Sequence, residues 1–135
     1  MSQTNVDLVR LAYDVAYDQR SLEGLDDRFS ADFVWYQRPE WPGRFAYGRD
    51  EIPQLWADLD ETYSEFLLVR VEFADAGEYV VVTVNTSARL RASDVRLEAT
   101  IWHVWRVVDG VAVEARAYSD QQEAREAAGL DGSGH

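Results

Sequence analysis

The chain has 135 residues, no cysteine and a formal net charge of -12, and 47% of its residues are hydrophobic. This length predicts one domain, and the absence of cysteine excludes disulfides, thiolate nucleophiles and zinc–thiolate sites. The acidic charge disfavours nucleic acid and anionic membrane surfaces as partners. No apolar run is long enough to span a membrane, and the N-terminus lacks the pattern of a signal peptide, so a cytoplasmic protein is expected.

The first half of the chain is predicted to be mostly helical. Apolar residues recur at helical spacing over residues 4–19, and a short second helix is predicted around residues 22–28. Residues 32–37, "DFVWYQ", form a first strand, and residues 38–48, which contain two prolines and two glycines, form a loop. A third helix is predicted over residues 50–63.

The second half changes to an alternating pattern typical of strands. Long strands are predicted over residues 65–76, 78–92, 95–108 and 111–119. The Asp109-Gly110 pair predicts a type I′ hairpin between the last two. A helix over residues 120–130 and a disordered tail, 131–135, complete the chain.

Helices followed by a four-stranded meander predict an α+β fold. We expect a cone-shaped, curved antiparallel or mixed β-sheet, wrapped by three N-terminal-side helices around an apolar pocket. Residues 1–130 would form this single domain.

The histidine of the third long strand is the first candidate functional residue. Alternation places His103 on the more apolar face of its strand, with Ile101 and Trp105. An imidazole in a pocket can act as an acid, a base or a hydrogen-bond donor near neutral pH. It can also be a core histidine bonded to a neighbour, and the residues alone leave both interpretations open.

The last strand carries a second set of candidates, because Arg116, Tyr118 and Asp120 share its polar face. That face meets either water or the pocket. Desolvation raises the pKa of a carboxylate in an apolar pocket, which suits Asp120 to proton abstraction beside a carbonyl. Arg116 would instead hold Asp120 ionised or bind an anionic ligand.

Aromatic residues supply candidate pocket walls for a flat, hydrophobic small molecule. Tyr13 and Tyr17 lie one turn apart on the first helix, where core packing is the simpler explanation. A large apolar side chain in a proline-flanked loop often covers the mouth of a pocket, and Trp41 is such a side chain. The candidate wall residues are Tyr17, Trp35, Trp41, Trp56 and Trp105. No ligand spacing indicates a metal site, and no motif indicates a cofactor.

Several motifs together resemble the SnoaL-like branch of the nuclear transport factor 2-like superfamily. They are His103-Val104-Trp105, Asp109-Gly110, Tyr118-Ser119-Asp120 and the terminal helix over 123–130. "FSADFVWYQ" (29–37) and "GRDEIPQLW" (48–56) are similar to the first strand and third helix of that family. The resemblance extends over residues 4–130.

The resemblance implies a small cofactor-independent enzyme with cyclase, isomerase or hydrolase-type acid–base chemistry on a hydrophobic cyclic carbonyl or epoxide compound. Asp120 matches the acid/base of SnoaL-like cyclases, and Tyr13 matches an oxyanion-stabilising tyrosine. His103 would help to polarise or orient the substrate. The resemblance also admits a non-catalytic binding domain with the same pocket. It further implies a homodimer through the outer sheet face, near Trp102 and Val104.

The sequence departs from some relatives of this superfamily. The stretch Tyr36-Gln37-Arg38-Pro39 has no carboxylate where ketosteroid isomerases carry their general base, which argues against that chemistry. The paired histidines of scytalone-type dehydratases are absent. Asp120 and Arg116 could supply part of the Asp-Arg-Asp set of limonene-type epoxide hydrolases, with Asp50 or Asp58 as a conceivable third member.

Overall fold

The structure, a computed structural model, describes residues 2–25, 27–38 and 44–130. It has an α+β fold built on one open, curved sheet of six strands. In chain order the elements are α1 (Ser2–Ala12), a π-helical segment (Tyr13–Asp18), β1 (Phe29–Tyr36), β2 (Ala46–Gly48), a 3₁₀ turn (Arg49–Glu51), α2 (Ile52–Thr62), β3 (Tyr63–Ala76), β4 (Tyr79–Leu90), β5 (Arg96–Val108), β6 (Val111–Tyr118) and α3 (Gln121–Ala127).

The sheet is mixed, with the strand order β2-β1-β6-β5-β4-β3. β1 pairs with β6 in parallel, and every other neighbouring pair is antiparallel. The predicted meander is confirmed as β3 to β6. Asp109 and Gly110 have φ values of 52° and 77°, so both central residues meet the positive-φ requirement of the predicted type I′ turn.

The two faces of the sheet pack against different helices. On β4, Val80, Val82 and Val84 belong to the main core, which also contains α1, the π-helical segment and α2. Val81 points to the opposite face, where Val104 joins Ala124 and Ala128 of α3 in a smaller cluster. We call these the inner and the outer face. His103 lies on the inner face, next in sequence to Val104.

The helix predicted around residues 22–28 is wrong. The described residues there form turns, with Leu25 N donating to Leu22 O at 3.0 Å. Gly24 has a φ of 83°, a left-handed conformation that interrupts a right-handed helix. The fold class is confirmed, but the third α-helix is the C-terminal α3, so only two α-helices lie on the N-terminal side.

Two other predicted elements differ locally from the structure. The helix of residues 4–19 begins at Ser2 and becomes π-helical from Tyr13. The loop of 38–48 contains the short strand β2, Ala46–Gly48, paired with β1. Trp41 and the tail, 131–135, lie outside the described residues. No helix in the described ranges is long and apolar enough to cross a membrane.

Candidate functional site

A cavity of about 290 Å³ opens between the inner face of the sheet and the helical layer. Its inner end is formed by the buried residues Trp35, Ile101 and His103. Its mouth is formed by the exposed first half of β5, including Leu97 and Glu98. The walls between are mainly apolar side chains from α2, β3 and β4: Leu59, Phe66, Leu68 and Ala88. This shape suits a small hydrophobic ligand.

His103 is hydrogen-bonded to the buried side chain of Tyr13, which in turn is hydrogen-bonded to Trp105. Tyr13 Oη lies 2.6 Å from His103 Nδ1, and Trp105 Nε1 donates to Tyr13 Oη at 3.0 Å. Of the two described contacts of Tyr13 Oη, His103 Nδ1 is the one that can accept the Tyr13 proton, so we assign the proton to that bond. His103 Nδ1 is then an acceptor, and the ring proton resides on Nε2. The group that His103 offers to a ligand is therefore an N–H donor.

The electrostatics of the site keep both partners neutral. Burial, and secondly the positive charge of Arg38, lower the pKa of His103 to about 3. Burial raises the pKa of the Tyr13 phenol well above its ordinary value. At neutral pH the imidazole is uncharged and the phenol keeps its proton. A neutral imidazole with a fixed tautomer suits the stabilisation of negative charge on a ligand oxygen better than it suits proton uptake.

Trp35 packs against His103 at the inner end of the cavity. Its ring packs edge-on against His103, with ring centroids 4.8 Å apart. Its Nε1 is buried and has no hydrogen-bond partner among the described residues. A buried N–H without a partner costs roughly 1–3 kcal/mol.

The π-helical segment positions Tyr13 from the other side. Arg70 of β3 donates to Asp18 at 2.7 Å and lies 3.5 Å from Asp14, so it ties the segment to the sheet. The same guanidinium lies 5.3 Å from the centre of the Tyr13 ring. Tyr17 stacks on Tyr13, with ring centroids 5.4 Å apart, and lines the cavity. Single π-helical turns are often found at functional sites.

Two charged residues also line the cavity. Arg38 follows β1, and its Nη1 donates to Ser119 Oγ at 3.2 Å. Arg38 lines the same cavity as His103 and Tyr63. Glu98 lies roughly 17 Å from His103 along β5, and alternation places its side chain on the other face of the sheet, with Asn85 and Ser87. Among the described lining residues, the inner end therefore has no carboxylate beside His103.

Comparison with known proteins identifies the family. The family model for a SnoaL-like domain matches residues 9–115, well over half of the chain. The chain belongs to the SnoaL-like domain family. This family lies within a superfamily that includes polyketide cyclases and isomerases. No functionally curated protein matches the chain.

Solved structures with the fold of this SnoaL-like domain cover nearly its whole length. An NTF2-like protein of unknown function from Burkholderia pseudomallei is 25% identical, with 93% of this chain and 97% of that chain covered and a TM-score of 0.71. TerC, co-crystallized with polyporic acid, is 19% identical over 93% and 98% of the two chains, with a TM-score of 0.71. A protein of unknown function with a cystatin-like fold from Xanthomonas campestris is 21% identical over 91% and 95%, with a TM-score of 0.69.

The predicted site residues of this SnoaL-like domain fall into two separate groups. The first group comprises Tyr13, Tyr17, Trp35 and His103, which meet at the inner end of the cavity. Trp105 is bonded to Tyr13 but lies in the core. Trp56 and Trp105 both line a small apolar gap of about 20 Å³, which is large enough for little more than a water molecule. A ligand-contacting role for these two tryptophans stays a prediction.

The second group, Arg116, Tyr118 and Asp120, lines a depression of about 380 Å³ outside the His103 cavity. Arg116 lies 3.9 Å from the centre of the Tyr36 ring. Tyr118 pairs with Trp102 across the outer face and packs against the α3 cluster. The Asp120 carboxylate accepts a hydrogen bond from Glu123 N at 3.1 Å and caps α3. The acid/base role predicted for Asp120 therefore has no support from contact with His103.

The capping role of Asp120 gives a testable difference between two variants. Asp120→Ala is expected to lower the free energy of unfolding by about 1 kcal/mol, because the Glu123 N–H loses its acceptor. Asp120→Asn is expected to leave stability nearly unchanged, because asparagine caps as well as aspartate. Urea denaturation of both variants measures the difference. Equal losses in the two variants would show that the cap is not what the carboxylate contributes.

Sequence reasoning missed several cavity residues. Two of them have polar groups: Arg38 has a guanidinium and Tyr63 has a phenol hydroxyl. Arg38 was noticed only as part of a stretch that lacks a carboxylate. The parallel pairing of Trp35 with Ala115, together with the pairing of Ala117 with His103, brings the end of β1 beside His103. No local pattern signals that long-range pairing. In the described part of the chain, no group of three or more side chains could hold a metal ion.

Proposed function

We propose that this protein is a small cofactor-independent enzyme of the cyclase or isomerase type. It binds a hydrophobic carbonyl compound in the inner cavity and stabilises negative charge that develops on the carbonyl oxygen. The observation that carries the proposal is the Tyr13–His103 hydrogen bond, which fixes a neutral imidazole with its Nε2–H available to the cavity.

The chemistry follows from that donor. When a proton leaves the carbon next to a carbonyl for a solvent base, its bonding electron pair moves onto the carbonyl oxygen and forms an enolate. His103 Nε2–H donates to that oxygen. Fixed donors in a site shielded from water stabilise such charge strongly, and the loss of one typically lowers the rate roughly 100- to 1000-fold. The enolate can then attack a second carbonyl or take its proton back at another carbon.

A non-catalytic binding domain is the second candidate, and one observation favours it. Among the described residues that line the cavity, the carboxylate is that of Glu98, which lies far along β5 from His103 with its side chain on the other face of the sheet. The inner end therefore provides the His103 donor without a nearby strong base. Such a cavity can hold a ligand without changing it.

Proton exchange separates the two candidates without knowledge of the substrate. We expect the wild-type protein to bind 2-tetralone and to accelerate the replacement of its α-protons in D₂O, followed by NMR. His103→Phe is expected to lower the protein-dependent exchange about 100-fold, because the donor is lost. Trp102→Phe, in the outer-face cluster, is the aromatic control and should keep the exchange.

The outcomes are distinct. Binding without accelerated exchange would favour the binding domain. If 2-tetralone and polyporic acid both fail to raise the melting temperature, the inner cavity is not a ligand site and the proposal is wrong. A ligand at a hundred times its Kd should stabilise the fold by about 2.7 kcal/mol, a shift that is easily measured.

A further inference from the structure

We propose that Arg70 of β3 is a positioning residue of the inner cavity. It holds the π-helical segment against the sheet, directs the Tyr13 hydroxyl to His103, and so sets how strongly His103 Nε2–H donates to a ligand. The proposal rests on the proposed function, because that N–H is the donor of that function. It goes further by giving a role in the reaction to a residue outside the described lining of the cavity.

The contact between Arg70 and Asp18 carries the first step. Arg70 Nη1 donates to Asp18 Oδ1 at 3.0 Å, and Arg70 Nη2 donates to Asp18 Oδ2 at 2.7 Å. Two parallel hydrogen bonds of this kind fix the geometry of the pair as well as its energy. The Arg70 side chain is only 18% exposed, so salt screens the pair less than it screens a surface pair. The end of the π-helical segment is thus fixed to β3.

The sequence of the π-helical segment makes this contact necessary. Asp14 and Asp18 are four residues apart, and like charges at this spacing destabilise a helix. Arg70 Nη2 lies 3.5 Å from Asp14 Oδ1, so the guanidinium stands between the two carboxylates and offsets their repulsion. Tyr13 and Tyr17 directly precede the two aspartates and stack on each other. A change in the position of the aspartates would therefore move the tyrosines as well.

The hydrogen bonds that end at His103 carry the second step. Trp105 Nε1–H donates to Tyr13 Oη at 3.0 Å, and Tyr13 Oη lies 2.6 Å from His103 Nδ1. Bonds in such a chain polarise one another, and each strengthens the next. An intact bond from Tyr13 therefore makes His103 Nε2–H a stronger donor toward a ligand oxygen.

The charge of Arg70 acts in the same direction as its contacts. Its guanidinium lies 5.3 Å from the centre of the Tyr13 ring. Burial is the main influence on the pKa of Tyr13 and raises it, and the charge of Arg70 is one of the influences that lower it. A more acidic phenol is a stronger donor to Nδ1. Removal of Arg70 would thus both release the π-helical segment and weaken the donor.

The first measurement is the α-proton exchange of 2-tetralone in D₂O, together with its Kd. Arg70→Met should lower the exchange rate of the bound ligand by about 10- to 100-fold, since a displacement of about 1 Å near the reacting atoms can cost this much. The Kd should change much less, because Arg70 does not line the cavity. Arg70→Lys should recover part of the rate, since lysine keeps the charge without the planar fork.

The nitrogen NMR shifts of His103, measured without ligand, separate positioning from stability. In Arg70→Met the shift of Nδ1 should move toward that of a ring nitrogen without a hydrogen bond, and Arg70→Lys should restore part of it. If Arg70→Met does not fold, Asp18→Asn provides the test and should change rate and shift in the same direction. Asp14→Asn should have a smaller effect, because its oxygen is 3.5 Å from Arg70.

A control variant makes the same change in charge elsewhere. Arg106 lies on the outer face of β5, where its Nε pairs with Glu78 Oε2. Arg106→Met therefore removes one positive charge and one ion pair, and it should keep the wild-type exchange rate and His103 shifts. Circular dichroism and melting temperatures show whether each variant is folded.

Failure of the inference and failure of the proposed function give different results. If the wild type accelerates exchange, a change in rate without a change in the His103 shifts, or the reverse, overturns the inference. An Arg70→Met variant that keeps both also overturns it and leaves the proposed function intact. If the wild type accelerates no exchange, the catalytic proposal fails and the His103 shifts decide alone. A shift that moves in Arg70→Met then supports the positioning role, and an unchanged shift refutes it.

Discussion

The free energy of unfolding is expected to fall by about 3 kcal/mol between pH 7 and pH 4 through His103 alone. Burial, and secondly the charge of Arg38, hold the pKa of His103 at about 3 in the folded protein, against an ordinary value of 6.5. Above pH 6.5 the imidazole is neutral in both states, so its contribution to stability is complete. As the pH falls from 6.5 toward 3, the unfolded chain binds a proton that the folded protein excludes, and stability is lost.

Comparison with a variant isolates this contribution from that of the carboxylates. His103→Gln removes the titrating group and keeps a polar side chain. Urea denaturation of both proteins at pH 7 and pH 4 gives the pH-dependent loss for each, and the wild type should lose about 3 kcal/mol more. Any constant destabilisation by the substitution cancels in this difference. Equal losses would mean that His103 takes up its proton without unfolding, and therefore that it is not held neutral.

The depressed pKa also bears on mechanism. A histidine that stays neutral down to about pH 3 contributes a hydrogen bond over the whole physiological range. Ligand binding and α-proton exchange should therefore show no ionisation of His103 between pH 5 and pH 8. Histidine near its ordinary pKa would switch in that range. Burial thus makes His103 an invariable donor instead of a pH-dependent base.

The strands and their connections were predictable because the signals for them are local. Alternation of apolar and polar residues predicted β3 to β6 close to their observed bounds. The Asp109-Gly110 pair predicted its turn, since few residues other than Asn, Asp and Gly accept positive φ. The helix around 22–28 failed because Leu22 and Leu25 imitate helical spacing, whereas Gly24 takes up a left-handed conformation.

The predicted site residues lie in two separate places, because strand pairings between residues far apart in sequence decide which of them come together. Asp120 and His103 both belong to the motifs that resemble the family. Alternation along the strands nevertheless places their two side chains on opposite faces of the sheet. The Asp120 carboxylate is taken by the α3 cap, a local bond that short acidic side chains form readily at helix starts. A bulge opposite Arg106 and Val107 also shifts the register of β6, so that Ala112 is buried instead of Val113.

Tyr13 was predicted from one position on a helix, but its importance depends on contacts that only the fold provides. Its partners His103 and Trp105 lie 90 and 92 residues away in sequence. The simpler prediction, a core aromatic, and the functional prediction, a hydrogen-bonding phenol, are compatible here. The ring is fully buried in the core, while the hydroxyl fixes the tautomer of a cavity residue.

Tyr13→Phe is accordingly expected to destabilise the protein by about 2–6 kcal/mol. The substitution leaves two buried groups unpaired, Trp105 Nε1–H and His103 Nδ1, at roughly 1–3 kcal/mol each. The ring volume is nearly unchanged, so packing contributes little to the loss. Urea denaturation at pH 7 gives the free energies, and the melting temperature should fall by roughly 4 °C for each kcal/mol in a domain of this size.

Tyr17→Phe is the matched control, because Tyr17 stacks on Tyr13 in the same π-helical segment but has no bond to His103 or Trp105. It should change stability by less than about 1 kcal/mol. Nitrogen NMR chemical shifts of His103 provide a second measurement, since Tyr13→Phe removes the proton donor that holds Nδ1 as an acceptor. In the wild type, Nε2 should have the shift of a protonated ring nitrogen and Nδ1 that of an unprotonated one. If the Tyr13 and Tyr17 variants are equally stable and the histidine shifts do not change, the hydroxyl of Tyr13 does not position His103, and the donor role of the imidazole loses its structural basis.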